Sequence, residues 1–137
     1  MPITALIYAY RKPGLSPEDF QKHYEAHVEL LKKLVGDKFP LSHKRNYIAR
    51  TAVTTPPDDA TTHNALTPAT ILRGQQTDFD FDAYAELTFA DQASLGDFHA
   101  LVTATDVAAQ IAADEDKFLD RSRLGIAMVG DVIVTTV

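Results

Sequence analysis

The chain has 137 residues, 45% of them apolar and 23% charged, with a formal net charge of −6 and no cysteine. That length fits one domain with a single core, and the apolar fraction excludes wholesale disorder. The missing thiols exclude disulfides, cysteine nucleophiles and cysteine-ligated metal centres, while the acidic balance argues against a phosphate-backbone surface.

Residues 3–10, ITALIYAY, are β-branched and aromatic, and they run into Pro13 and Gly14, which predicts a strand and a turn. The run is too short for a membrane span and lacks the basic start of a signal peptide, so a cytoplasmic protein is expected. Ser16 then offers an N-cap, Pro17 the first helical position, and Glu18 and Asp19 two acids at the positive helix end. Phe20, Tyr24, His27, Leu31 and Leu34 form one stripe of that helix, broadened by Val28 and Val35 and stopped by Gly36.

A second strand is expected over about 43–52. In an extended chain His43, Arg45 and Tyr47 share one face, and Lys44, Asn46, Ile48 and Arg50 share the other. Residues 53–78 are rich in Thr, Pro and Asp without periodicity, which reads as an insertion or lid. FDFDAYAELTF, residues 79–89, alternates as a third strand: Phe79, Phe81, Ala83, Ala85, Leu87 and Phe89 are apolar, and Asp80, Asp82, Tyr84, Glu86 and Thr88 face the other way. Asp91 caps a helix bearing Leu95, Phe98, His99 and Val102. Thr105 or Asp106 caps its continuation through Val107, Ile111 and Phe118. Residues 124–136 close the chain as a fourth strand. The predicted class is α+β, with the βαββαβ order of a ferredoxin-like fold and a homodimer formed through the sheet face that the helices leave bare.

Several side chains suit chemistry. His27 lies in the apolar stripe, where a histidine either packs in the core or, tuned by burial, exchanges protons. His23 and His27 sit one turn apart, yet a metal site needs a third ligand, and none is apparent. Arg45 has the fork that pairs with a carboxylate, and His43 and Tyr47 can donate to a ketone or phenolate oxygen. The alternative is a solvated edge strand. Tyr84 and Glu86 stand on the polar face of the third strand, where Glu86 can neutralise Arg45 or Arg50. Tyr8 either walls an aromatic pocket or packs in a dimer core. His99 borders an apolar stripe, and His63 reaches a pocket only if the insertion folds as a lid. DEDKFLD, residues 114–120, reads as surface ion pairs anchored by Phe118 and Leu119.

Taken together, YRKPGLSPEDFQKHYEAHVELLKKLVG, FPLSHKRNYIAR, FDAYAELTFAD and DEDKFLD resemble the EthD family of dimeric α+β barrels, in particular the EthD-like tailoring proteins of fungal aromatic polyketide pathways. The resemblance implies a barrel across a homodimer, a pocket between sheet and helices, and no cofactor. It also implies decarboxylation of an anthrone-type or related β-keto or ortho-hydroxyaryl acid. Alternatives are cofactor-free anthrone oxygenation, cyclisation, or polyketide binding without turnover. On that reading His27, His43 and Tyr47 are catalytic, and Arg45, Tyr84, Glu86, His99 and Tyr8 contact substrate. No metal, nucleic acid or membrane is expected.

Overall fold

The computed structural model describes residues 1–137. Its elements follow the order β1 (Ile3–Ala9), α1 (Pro17–Val35), β2 (Ser42–Tyr47), β3 (Ala83–Phe89), α2 (Gln92–Val102), α3 (Thr105–Glu115) and β4 (Gly125–Met128). The four strands form one antiparallel sheet in the order β2-β3-β1-β4, with the helices packed on one face. This is the expected α+β, ferredoxin-like arrangement.

α1 forms where its start signals predict. Ser16 Oγ accepts from the Asp19 amide at 3.1 Å, Pro17 opens the helix, and Gly36 ends it with a positive φ of 58°. The buried stripe is Phe20, Tyr24, His27, Val28, Leu31 and Val35. Phe20, Tyr24 and Val28 meet Ala9, Ala83, Phe118 and Leu119 in one cluster, and a second joins Ala5, Ala85, Leu87 and Phe89 to Leu95 and Phe98 of α2. Phe118 is completely buried, so truncating it to alanine would remove about 3–5 kcal/mol. Asp91 caps α2 through the Ser94 amide at 2.8 Å. α3 starts at Thr105 behind Ala104, which has no capping side chain.

The first strand matches its sequence pattern to within one residue, and the other three stop well short of theirs. β2 ends at Tyr47 and β4 covers only Gly125–Met128, leaving Val132, Ile133 and Val134 exposed. β3 starts at Ala83 because the alternation upstream is broken: residues 76–79 form a single 3-10 turn, and Asp80 and Asp82 are buried, Asp80 pairing with the exposed Arg123 and Asp82 with the buried Arg11. The segment 53–78 is folded. The Thr51, Val53 and Thr70 amides bond to the carbonyls of Pro68, Leu66 and Ala49 at 2.8–3.1 Å, so the chain doubles back on itself just past β2. Gln76 pins this arm: its side-chain amide exchanges two hydrogen bonds with the Ala69 backbone, at 2.8 and 3.1 Å.

Candidate functional site

Alternation along β2 does put His43, Arg45 and Tyr47 on one face, opposite Leu87, Ala85 and Ala83, and that face looks toward α1. What they meet there is Glu25. Arg45 grips both Glu25 oxygens at 2.6 and 2.9 Å, and the Tyr47 hydroxyl donates to Oε2 at 2.5 Å. The fork assigned to a substrate carboxylate therefore already holds one from the chain. Its hydrogen bond from Arg45 keeps Glu25 below the usual carboxylate range. His43 lies 3.2 Å from Arg45 Nη1 and edge-on to Tyr24; burial, aided by the Arg45 charge, lowers its pKa to about 4, so it is neutral at pH 7.

His27 is 7% exposed and wedged between α1 and α3, with Nδ1 2.7 Å from Asp114 Oδ2 and its ring against Phe118. Burial pushes Asp114 upward, but hydrogen bonds with His27 and Lys117 more than offset this and hold it below its ordinary value. Neither His27 nor His43 lines either of the two large cavities. His23 stacks on Phe118, and no group of three or more His, Asp or Glu side chains is placed to hold a metal ion.

The remaining sequence candidates are scattered by the pleat. Tyr8, Tyr84 and Glu86 point to the opposite face of the sheet from Arg45. Glu86 pairs at 3.7 Å with Lys44, which stands directly across from it, and not with Arg45 or Arg50. Tyr8 is 43% exposed and stacks on Phe81 at 4.8 Å. His99 is exposed on α2. The acidic DEDKFLD run is only partly a surface feature, because Asp114 holds the buried His27.

The larger convergence lies where the arm closes over the start of α1. There a cavity of about 680 Å³ is walled by Leu15, Phe20, Tyr47, Arg50, His63 and Asp82, with Arg11 and Thr67 beside them. Asp82 is its charged hub. Its side chain accepts from Arg11 Nη1, from the Arg11 amide at 2.6 Å and from His63 Nε2 at 2.7 Å, and it lies 3.3 Å from Arg50 Nε. An ionised carboxylate only accepts, so His63 Nε2 carries the proton and Nδ1, with no partner in the chain, keeps its lone pair. Tyr47 also lines this cavity, and burial together with the bond to Glu25 pushes its phenol well above the ordinary value, so it stays protonated. A second cavity, of about 860 Å³, straddles the free edge of β2 and shares Gln21, Tyr47 and Ile48 with the first.

Asp82, Arg11 and Arg50 were not singled out as site residues by sequence reasoning. Arg11 reads as a turn charge after the first strand, Arg50 as one of the polar side chains on the second, and Asp82 fits an outward position in an alternating run. The contact that unites them joins residues 71 positions apart.

Fold and cavity thus define a ferredoxin-like α+β protein with a histidine–aspartate pair beside an open hollow. The EthD domain model matches residues 12–122, and the chain belongs to that family. Among solved structures, the At3g17210 protein of Arabidopsis thaliana matches with a TM-score of 0.53 at 13% identity, over 98% of this chain and 99% of that one. An ethyl tert-butyl ether d (EthD) family protein of Bacillus halodurans matches with a TM-score of 0.49 at 15% identity, covering 95% and 99% of the two chains. A DABB family protein with a ferredoxin-like fold from Mesorhizobium loti gives 0.42 at 11% identity, covering 96% and 97%. The first of these supports the fold alone. No curated protein matches the chain.

Proposed function

We propose that the chain is a cofactor-independent enzyme that decarboxylates an aromatic polyketide acid, of the anthrone, β-keto or ortho-hydroxyaryl kind, in the cavity between the arm and α1. The observation that carries this reading is the 2.7 Å contact of His63 with Asp82 at the wall of a hollow large enough for a fused-ring ligand. Loss of carbon dioxide leaves an electron pair delocalised onto the neighbouring oxygen, and catalysis needs charge stabilisation there and a proton for carbon. The Arg11–Arg50 wall supplies the positive field. Tyr47, its proton directed to Glu25, has lone pairs left to accept a ligand hydroxyl. His63 Nδ1 first takes a proton from water onto its lone pair and then delivers it to carbon, Asp82 stabilising the intervening imidazolium. In this reading His63 takes the proton-transfer role first given to His27 and His43, Tyr47 keeps an oxygen contact, and Arg45 holds Glu25 in place of substrate. A second copy covering the sheet face of Tyr8, Tyr84 and Glu86 belongs to the same proposal, with an expected solution mass of twice 15.1 kDa.

The free lone pair on His63 favours a second reading, in which Nδ1 removes a proton from an anthrone and the carbanion reacts with dioxygen. Mass spectrometry and gas analysis of pure protein incubated with a panel of aryl and β-keto acids separate the two. Carbon dioxide release with a hydrogen-for-carboxyl product supports the first, and oxygen uptake without it supports the second. His63→Gln should lower turnover by about 10²-fold or more. Tight binding with neither product would instead describe a carrier.

A further inference from the structure

The charges buried in this wall balance, and its hydrogen-bond donors and acceptors do not. Arg11 and Arg50 stand against Asp82 and Asp80, whose side chains are 2% and 11% exposed, so the hollow asks for no charge from an occupant. Every N–H of the Arg11 guanidinium is engaged inside the chain: Nε with the Leu15 carbonyl, Nη1 with Asp82 and Asn64 Oδ1, and Nη2 with the His63 carbonyl and the Thr67 hydroxyl. Arg50 gives both terminal nitrogens to the carbonyls of Thr67, Phe79 and Phe81, and its Nε is buried beside Asp82. The Thr67 hydroxyl donates to Asn64 Oδ1 at 3.1 Å, and the Tyr47 hydroxyl donates to Glu25. The His63 side chain is only 9% exposed. Its Nε2–H is given to Asp82, the Tyr10 ring stands edge-on to it at a centroid distance of 6.3 Å, and no donor of the chain reaches Nδ1. The wall is therefore an accepting surface: its deeply placed side chains have committed their protons to one another, and the lone pair on His63 Nδ1 is left open. Ser16, Gln21 and Thr62 also line the hollow, but all three are exposed, and water competes for their donors. A buried acceptor without a partner is costly, so an occupant that excludes water from Nδ1 must bring a proton of its own.

We propose that the hollow selects for a free hydroxyl: it takes a fused-ring phenol whose O–H donates to His63 Nδ1, and it rejects the O-alkyl ether of the same ring. An ether oxygen only accepts, so it sets one lone pair against another and leaves Nδ1 unpaired. Any reaction at this site then precedes O-alkylation of that hydroxyl, and an alkyl-transferring enzyme aimed at that oxygen acts on the product released here. The proposal rests on the cavity assigned above as the reaction site, but not on any reaction occurring there.

Fluorescence titration of pure protein with 2-naphthol and with 2-methoxynaphthalene tests this, because the pair share a ring system, are both uncharged at neutral pH, differ in the hydroxyl proton, and carry no carboxyl group to lose. The naphthol is expected to bind at least about tenfold tighter than the ether. In His63→Phe, which keeps a flat ring and removes the acceptor, that preference should fall to about twofold or less. A measurement on the wild type serves if that variant does not fold. In long-range proton–nitrogen NMR spectra of the histidine side chains, the Nδ1 signal of His63 should move upfield with the naphthol and much less with the ether. Equal affinities, no binding of either compound, a preference kept by folded His63→Phe, or an Nδ1 signal unmoved by the naphthol would each overturn the proposal. The two readings fail separately: turnover of an aromatic acid without a hydroxyl preference removes the selection and keeps the reaction, and a hydroxyl preference without turnover does the reverse.

Discussion

The molecule contains two histidine–aspartate pairs of the same length, 2.7 Å, in different settings. His27–Asp114 joins α1 to α3 with Phe118 and Tyr24 packed on the imidazole, and neither of the two large cavities is lined by it. His63–Asp82 stands on the arm beside two buried guanidiniums, and one of its ring nitrogens is left without a partner in the chain. The distance is the same and the use is not. A pair whose surroundings are filled ties two helices together, whereas a pair facing a hollow can exchange protons with whatever occupies it.

The sharpest way to break this contrast is to remove the carboxylate from each pair. Asp82→Asn leaves two buried guanidiniums with no anion between them, and stability should fall by about 3–5 kcal/mol. Asp114 has a side chain 19% exposed, and its other partner, Lys117, is 62% exposed and can turn to water. Asp114→Asn should therefore cost only about 1–2 kcal/mol. Urea unfolding midpoints of the two variants read the difference directly. Equal losses would mean that Asp82 is no more deeply committed to its cations than Asp114, and the contrast between the two settings would fail.

The next effect concerns pH and sharpens the part played by the β2 cluster. Burial and the neighbouring Arg45 lower the His43 pKa from 6.5 to about 4. The unfolded chain therefore binds a proton on His43 at pH values where the folded chain does not. Stability from this group is complete above about 6.5 and drains away as pH falls toward 4. Allowing for its partial exposure, the loss between about pH 7 and pH 5 should be about 1–2 kcal/mol. Thermal melts of the wild type and of His43→Gln across that window should converge as pH falls. Parallel curves would show that His43 is freely solvated in the folded state.

How much of this was legible beforehand follows the range of the contacts involved. α1 could be read residue by residue, because its cap, its proline, its stripe and its terminal glycine act within a turn or two. The shared face of His43, Arg45 and Tyr47 also followed from the pleat, which is a local property. Their partner Glu25 did not follow, since nothing near β2 says which turn of α1 will lie above it. Asp82 was harder still. Phe79 and Phe81 extend the alternation of Ala83 and Ala85 upstream, so the two aspartates between them looked solvent-facing, and only cations far off in sequence draw them inward. His63 was visible only as a conditional candidate, because its place depends on whether a stretch rich in Thr and Pro doubles back. Pinning of that arm by Gln76 on Ala69 is a seven-residue contact with no pattern in the chain to announce it.

The smallest expected effect comes from Glu25, and it tests whether the β2 cluster is a brace or a binding surface. Glu25 collects three hydrogen bonds, two from Arg45 and one from Tyr47, which would suggest a large contribution. Its side chain is nevertheless 45% exposed, and exposed ion pairs contribute roughly 0–1 kcal/mol because water competes for both partners. Glu25→Gln should thus lower stability by under about 1 kcal/mol at neutral pH. Because the Arg45 bond depresses the folded-state pKa of Glu25, its contribution is present above the ordinary glutamate pKa and is lost as pH falls through that lowered value. The gap between wild type and variant should accordingly close in acid. The same substitution releases Tyr47, whose ring lines both cavities, so a ligand titration should move while the melting curve barely does. A large stability loss with unchanged ligand binding would reverse the assignment, making the cluster a brace with no bearing on the hollow beside it.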